Sequence, residues 1–404
     1  MDLTRATPPL LKHLNERTVL EAIRAGAPIS RAEISRRVGL SKPTVSLALR
    51  SLEDAGLVRE AAAGPDGPSY GALFFEPVPD AAFVLGLDLG SRFLRGAVAD
   101  LAGRIRTRQD VELRGADADG ALNAIAALQE SLIDAAALPP ERIDGVVLGI
   151  PGVVETTGTL RLTSPWIAGL EGRPFATELR ERLGVAVSLD NDINLAAVGE
   201  GWAGVARGVD DFAFLSIGTG TGVGLVLDGE LHRGRHGAAG EIDWALIGVA
   251  EDVDPSAPGV VELAEALGWS GDGRGASPPY DARDIFAAAR RSNDIARTIV
   301  ERTARRIAAH IAPIAAVADP DLVVLGGGIG MNGDLLLEPV RSLLREWLPY
   351  PPRVEISSLG ESAVLRGAVA TGLQSALDNV FVNRTTQMSP AAAPAARAGT
   401  PARS

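Results

Sequence analysis

The chain has 404 residues, of which 46% are apolar and 22% charged, with a net charge of −12 at pH 7. That length predicts two or three domains, and the composition is ordinary for a water-soluble globular protein. The absence of cysteine excludes a disulfide framework, a thiolate nucleophile and any cysteine-ligated zinc or iron–sulfur site. Aromatic residues, at 4%, are too few for the stacking platforms of single-strand-binding proteins. With no apolar run of about 18 residues and no apolar signal core, a cytoplasmic protein that does not span a membrane is expected. The charge is uneven: residues 1–60 carry ten basic side chains against seven acidic ones, so the remainder holds −15. Such an asymmetry is either a local fluctuation or the mark of a nucleic-acid-facing end.

Leu10, Leu11, Leu14, Val19, Leu20 and Ile23 roughly fit helix spacing and predict a first helix over 10–25. Ser30-Arg31-Ala32-Glu33 reads as a capping box opening a second helix that stops at Gly39. Ser41 caps a third helix with Pro43 in its first turn and Val45, Leu49 and Leu52 as its buried stripe. Two short strands follow, 57–59 and 73–75, around a Gly/Pro loop. Helix, helix, tight turn, helix and hairpin is the plan of a winged helix-turn-helix, in which the third helix enters the major groove. A structural αα-corner is the competing reading, but the wing strands favour DNA. Ser41, Lys42, Thr44, Ser46 and Arg50 are then the candidate contacts to double-stranded operator DNA, because their donors suit phosphates and base edges. The wing tip, 64–71, carries an acid and no arginine and should add little.

Glu76–Asp80 reads as a short linker. Beyond it, two apolar hairpins are each bent by a turn: strands 83–89 and 94–99 around Asp88-Leu89-Gly90-Ser91, and strands 212–217 and 223–228 around Gly218–Gly222. Glycine-dense turns let backbone amides close on phosphate oxygens. A third cluster, Gly326-Gly327-Gly328, follows the strand 322–325, itself preceded by a long helix over 294–316. The set points to a two-lobed fold binding a nucleotide or a sugar. Between the lobes, Asp190-Asn191-Asp192-Ile193-Asn194 lies after a strand and before a helix. It is either an Asx turn with an N-cap or a set of ligand contacts; the second is preferred, with Asp192 able to take a proton from a sugar hydroxyl. His232 and His236 are four apart, but Gly234 and Gly237 argue against a helical metal pair, and no metal site is expected.

With these motifs in view, the chain resembles the ROK family (repressors, open reading frames and kinases) over nearly its full length. The matching stretches are 41–56, Asp88-Leu89-Gly90, Gly149-Ile150-Pro151-Gly152, 190–194, Gly218–Gly224, Gly237-Ala238-Ala239-Gly240-Glu241 and Leu325–Gly328. The resemblance implies an α/β, actin/hexokinase-like domain of two lobes behind the winged helix, a sugar or sugar phosphate in the interlobe cleft, and a homodimer or homotetramer. It places sugar contacts at Asn191, Asp192, Glu241 and Glu262. It places a nucleotide phosphate, weakly held if at all, at Asp88, Gly90, Gly218, Thr219, Gly220, Thr221, Gly326 and Gly327, with Asp192 as base if kinase activity survives. Departures favour the regulator branch, that of xylose and N-acetylglucosamine repressors: Arg92 replaces a small hydroxyl residue in the first phosphate turn, and Glu241-Ile242-Asp243-Trp244 lacks the family's histidine. A sugar-responsive regulator without a required cofactor is therefore expected, with an ATP- and Mg-dependent sugar kinase as the alternative. The expected boundaries are 1–76 for the winged helix, 83–195 for the first lobe with a helix over 362–380 returning to it, 196–361 for the second lobe, and a disordered tail from 383.

Overall fold

The computed structural model describes residues 8–62, 72–113, 115–155, 159–161, 167–242, 253–271 and 280–388. The chain falls into two compact units, Met1–Ala82 with Gln374–Ser404, and Phe83–Leu373.

In the first unit, α1 (Pro8–Gly26) leads through a two-residue strand, β1 (Ile29–Ser30), into α2 (Arg31–Val38) and α3 (Lys42–Asp54). The Ser30 hydroxyl accepts from the Glu33 amide at 3.2 Å, and Gly39 closes α2 at φ +67°. Only half of the expected capping box forms, because the Glu33 carboxylate turns to Arg36 and Arg37 one turn along. Ser41 caps α3 through the Thr44 amide at 3.3 Å. Val19, Leu20 and Ile23 of α1, Ile34 of α2 and Val45, Leu49 and Leu52 of α3 form the buried centre. The wing strands β2 (Val58–Glu60) and β3 (Phe74–Pro77) join β1 in a sheet of order β1-β3-β2. The expected linker is thus partly strand: Glu76 pairs with Arg59, and Pro77, which has no donor to give, ends the ladder opposite Val58. The wing tip lies outside the described residues.

The second unit holds two open five-stranded sheets. The first takes β4 (Phe83–Leu89), β5 (Phe93–Asp100) and β6 (Ile105–Glu112), then, after α4 (Ala118–Ala135), β7 (Ile143–Ile150). The two-residue strands β8 (Val153–Val154) and β9 (Leu160–Arg161) form a separate ribbon. Next come α5 (Phe175–Leu183), β10 (Val187–Asn191) and α6 (Asp192–Ala203). The second sheet takes β11 (Phe212–Ile217), β12 (Thr221–Leu227) and β13 (Glu230–Leu231). Helices α7 (Ala257–Ala266), α8 (Ala282–Arg290) and α9 (Asp294–Ala318) precede β14 (Leu322–Gly326), α10 (Gly327–Gly330), α11 (Gly333–Trp347), β15 (Arg353–Ile356) and α12 (Ala363–Met388). The orders are β10-β7-β4-β5-β6 and β15-β14-β11-β12-β13: each has an antiparallel hairpin at one end and three parallel strands at the other. One architecture is built twice, as the paired hairpins in the sequence predict. Between the sheets α6 crosses the start of α12 in backbone contact. A Cβ on Gly199 would strike the Ala363 carbonyl, and one on Gly367 the Leu195 carbonyl. Helix α12 continues to Met388, through the stretch from 383 expected to open a disordered tail. No helix among the described residues is long and apolar enough to cross a membrane.

Candidate functional site

Two sites emerge, one in each unit. In the first unit, the four buried residues of α3, Val45, Ala48, Leu49 and Leu52, turn Lys42, Pro43, Ser46, Leu47 and Arg50 outward. Lys42 and Arg50 have no side-chain partner among the described residues, and both line a cavity of about 500 Å³ between α2, α3 and β3. The hydroxyls are already occupied. Ser41 and Thr44 Oγ atoms lie 2.8 Å apart, and Ser46 donates to the Lys42 carbonyl at 2.8 Å. Ser46 also accepts from Arg31 Nη1 at 3.1 Å. Of the expected DNA contacts, then, Lys42 and Arg50 present unengaged cations, while Ser41, Thr44 and Ser46 shape the start of α3. Arg31, missed in the sequence, joins the same face; its place as first residue of α2, three before buried Ile34, was the available signal. The far end of that cavity is acidic. Burial, then Glu60 and Asp54, raise the Glu53 carboxyl above its usual range. Within the cavity, anions are therefore favoured toward Lys42 and Arg50 and away from Glu53 and Glu60, with the amide ends at the start of α3 adding to the attraction there.

In the second unit, a cavity of about 290 Å³ opens between the sheets. Its walls include Asp88 and Gly90 from the first hairpin, Asp192 from the first turn of α6, Thr219 from the second hairpin, and Gly327. Five expected residues from four segments thus meet. They do so because each parallel strand delivers its C-terminal end to the same side of its sheet. Asp88 is buried and faces Arg95, whose Nη1 donates to it at 3.3 Å; Arg95 also pairs with Glu361 at 3.2 Å and approaches Asp110 at 3.6 Å. Burial nevertheless outweighs Arg95 and pushes the Asp88 carboxyl up to about 7. Burial likewise pushes Asp192 up to about 6, against the backbone amide of Ile193, which favours its charge. Arg92 lies on the rim, held by Glu112 at 3.0 Å and by the Phe93 ring.

The remaining expected residues are placed differently. Asn191 is the N-cap of α6: its Oδ1 accepts from the Ile193 and Asn194 amides at 2.9 and 3.0 Å, and its Nδ2 donates to the Gly152 carbonyl at 3.0 Å. The Asx-turn reading therefore describes Asn191, while Asp192 beside it faces the cavity. Glu241 and Glu262 are not on the walls of this cavity; Glu262 is exposed on α7. Gly218 and Gly220 close the second turn on themselves at 2.9 Å, and the buried Thr221 hydroxyl has no hydrogen-bond partner among the described residues. Gly326 packs on Phe214. Asp243 and Trp244 lie outside the described residues. Sequence reasoning missed two ties. Arg233 grips Asp190 with Nη2 at 2.5 Å and Nε at 3.2 Å, fastening the 232–242 loop to β10. Fully buried Glu200 binds the Ser357 hydroxyl and the Val205 amide, fastening α6 to the turn before α12. Among the described residues no three His, Asp or Glu side chains converge on a metal position.

The ROK family model matches residues 84–374. The chain belongs to the ROK family. A winged helix-turn-helix DNA-binding model matches residues 13–59, which include α2 and α3. The xylose repressor of Caldicellulosiruptor bescii is 26% identical over 382 residues, covering 89% of this chain and 96% of its own. A crystal structure of a ROK family transcriptional regulator, a homologue of the E. coli MLC protein, superposes with a TM-score of 0.75 at 23% identity over 93% of this chain and 99% of that one. A ROK glucokinase from Streptomyces griseus, solved with glucose and AMPPNP, gives a TM-score of 0.60 at 28% identity over 72% of this chain and 99% of that one. This ROK chain is thus similar to a sugar kinase over 72% of its length and to named regulators over 89–93% of it. The hexokinase-like fold with an N-terminal winged helix is the one the motifs imply.

Proposed function

We propose that this ROK protein is a sugar-responsive transcriptional repressor that binds operator duplex through α3 and a sugar or sugar phosphate beside Asp192. The observation that carries the reading is the unengaged pair Lys42 and Arg50 on the outward face of a capped helix in a winged helix-turn-helix, joined to a ROK unit. The xylose repressor covering nearly the whole chain supports it, as does the glucose bound by the Streptomyces relative. As a homodimer or homotetramer the protein would read a palindrome whose half-sites are about 34–36 Å apart. Binding to duplex selected from a randomised library tests the reading. Each of Lys42→Ala and Arg50→Ala should weaken binding and lower the salt dependence, log K against log salt, by about one unit if the lost contact is to phosphate; loss of a base contact should cost about 1–3 kcal/mol. Unaltered affinity in both variants would contradict it.

The second reading, an ATP-dependent sugar kinase, is favoured by Asp192 facing the same cavity as Asp88, Gly90, Thr219 and Gly327. The groups present fit the phosphate–magnesium pair poorly. The carboxylate at the first turn already faces Arg95, and Arg92 stands at the position where the family resemblance calls for a small hydroxyl residue, which leaves Ser91 as that turn's hydroxyl. No required cofactor is therefore proposed, and no step is routed through ATP or Mg²⁺. Sugar-dependent ATP turnover of about 1–100 per second that vanishes in Asp192→Asn would establish the kinase instead.

A further inference from the structure

The outward side of α3 carries one feature that charge and hydrogen bonding leave unexplained. The helix segregates its side chains cleanly: Val45, Ala48, Leu49 and Leu52 are buried, and the opposite side is polar or charged except for Pro43 in the first turn and Leu47. Leu47 is 63% exposed. At 100° per residue it lies at the middle of the outward side, within about 30° of the direction opposite the buried stripe, one turn from Pro43 and from Arg50. Its neighbours there cannot read a base freely, because the Ser46 and Thr44 hydroxyls are held by Lys42, Arg31 and Ser41. Arg50 is the adjacent unengaged donor. A helix laid in the major groove with its buried stripe toward the protein would carry Leu47 toward the floor of the groove, with both cations on one side of it, Arg50 about 60° and Lys42 about 140° round the helix. There only one base offers an apolar group: thymine, through its 5-methyl.

We infer that Leu47 reads the methyl group of a thymine in each operator half-site, next to the base or phosphate taken by Arg50. The inference rests on the DNA-binding reading and adds to it a specificity-determining side chain. An apolar contact of this kind discriminates by excluding water from two surfaces, so it is independent of salt, unlike the contacts of Lys42 and Arg50.

The test uses the full-length protein and a duplex it selects from a randomised library, in which each thymine is replaced in turn by deoxyuridine. The change removes one methyl and leaves every hydrogen-bonding group in place. At one thymine per half-site, wild type should lose about fourfold in affinity, the worth of one buried methyl group. Leu47→Ala should bind the unmodified duplex more weakly and be indifferent to uracil at that position. Lys42→Ala, weaker overall, should keep the uracil penalty. Circular dichroism and melting temperature check that Leu47→Ala is folded, as its exposure predicts. Wild type indifferent to uracil everywhere, or Leu47→Ala keeping the full penalty, would overturn the inference. So would Leu47→Ala shifting the oligomeric mass while leaving DNA affinity intact, because the leucine would then be a protein contact. Selection of no duplex at all would remove the DNA-binding reading itself, a failure distinct from the other three.

Discussion

Asp88 and Asp192 face one cavity, and burial pushes their carboxyls up to about 7 and about 6. Below about pH 4 folded and unfolded chains both hold these protons. Between there and neutrality the unfolded chain has released them while the folded chain keeps them, so stability falls as pH rises through that window and levels off above it. Asp88→Asn should therefore shrink the decline in melting temperature between pH 4.5 and 7.5, leaving the share due to Asp192; an unchanged decline would show that Asp88 ionises normally. Ligand binding runs the other way. An ionised Asp192 accepts a hydroxyl proton best, so affinity for sugar, measured by calorimetry, should rise as pH passes 6, and a flat profile would put the sugar elsewhere. The sequence located both carboxylates because each sits at a strand end beside a turn. Arg95 facing Asp88 follows from the hairpin, in which the two stand opposite each other, but Arg233 reaching Asp190 from 43 positions away could not be seen, because that spacing follows no helix, strand or hairpin register.

The hairpins β4–β5 and β11–β12 were legible because their strands are long, apolar and bent by marked turns. Strands β1 and β13, two residues each, are too short to show a period, and Glu76-Pro77 reads as a linker because proline, which cannot donate to a ladder, belongs on edge strands, at first strand residues or at bulges rather than in a central strand such as β3. The crossing of α6 and α12 was invisible too: Gly199 and Gly367 are 168 positions apart and look like ordinary helix glycines. Their contact brings two backbones together beside the cavity, and Glu200 with Ser357 ties α6 to the turn that leads into α12. Gly367→Ala has no room to relax, since its Cβ would meet main chain rather than a flexible side chain. It should destabilise the protein by about 1–3 kcal/mol, read as a lowered melting temperature. A variant as stable as wild type would mean that the helices stand further apart.

At the scale of the molecule, a positively charged N-terminal segment is joined to an acidic remainder, and the two halves of the second unit repeat one sheet. A cavity between repeated sheets can respond to a ligand by closing, and a ligand that prefers one arrangement shifts the whole chain toward it. If the ROK unit senses sugar for the winged helix, the two sites share a coupling free energy, commonly 5- to 150-fold in affinity. The most direct measurement is the anisotropy-detected affinity of the full-length protein for its selected duplex, with and without a saturating sugar found by thermal shift. The account predicts a change of at least fivefold in DNA affinity, equal to the change that DNA causes in sugar affinity and abolished in Asp192→Asn at sugar concentrations that saturate wild type. DNA affinity unmoved by a sugar that demonstrably occupies the cavity would contradict it.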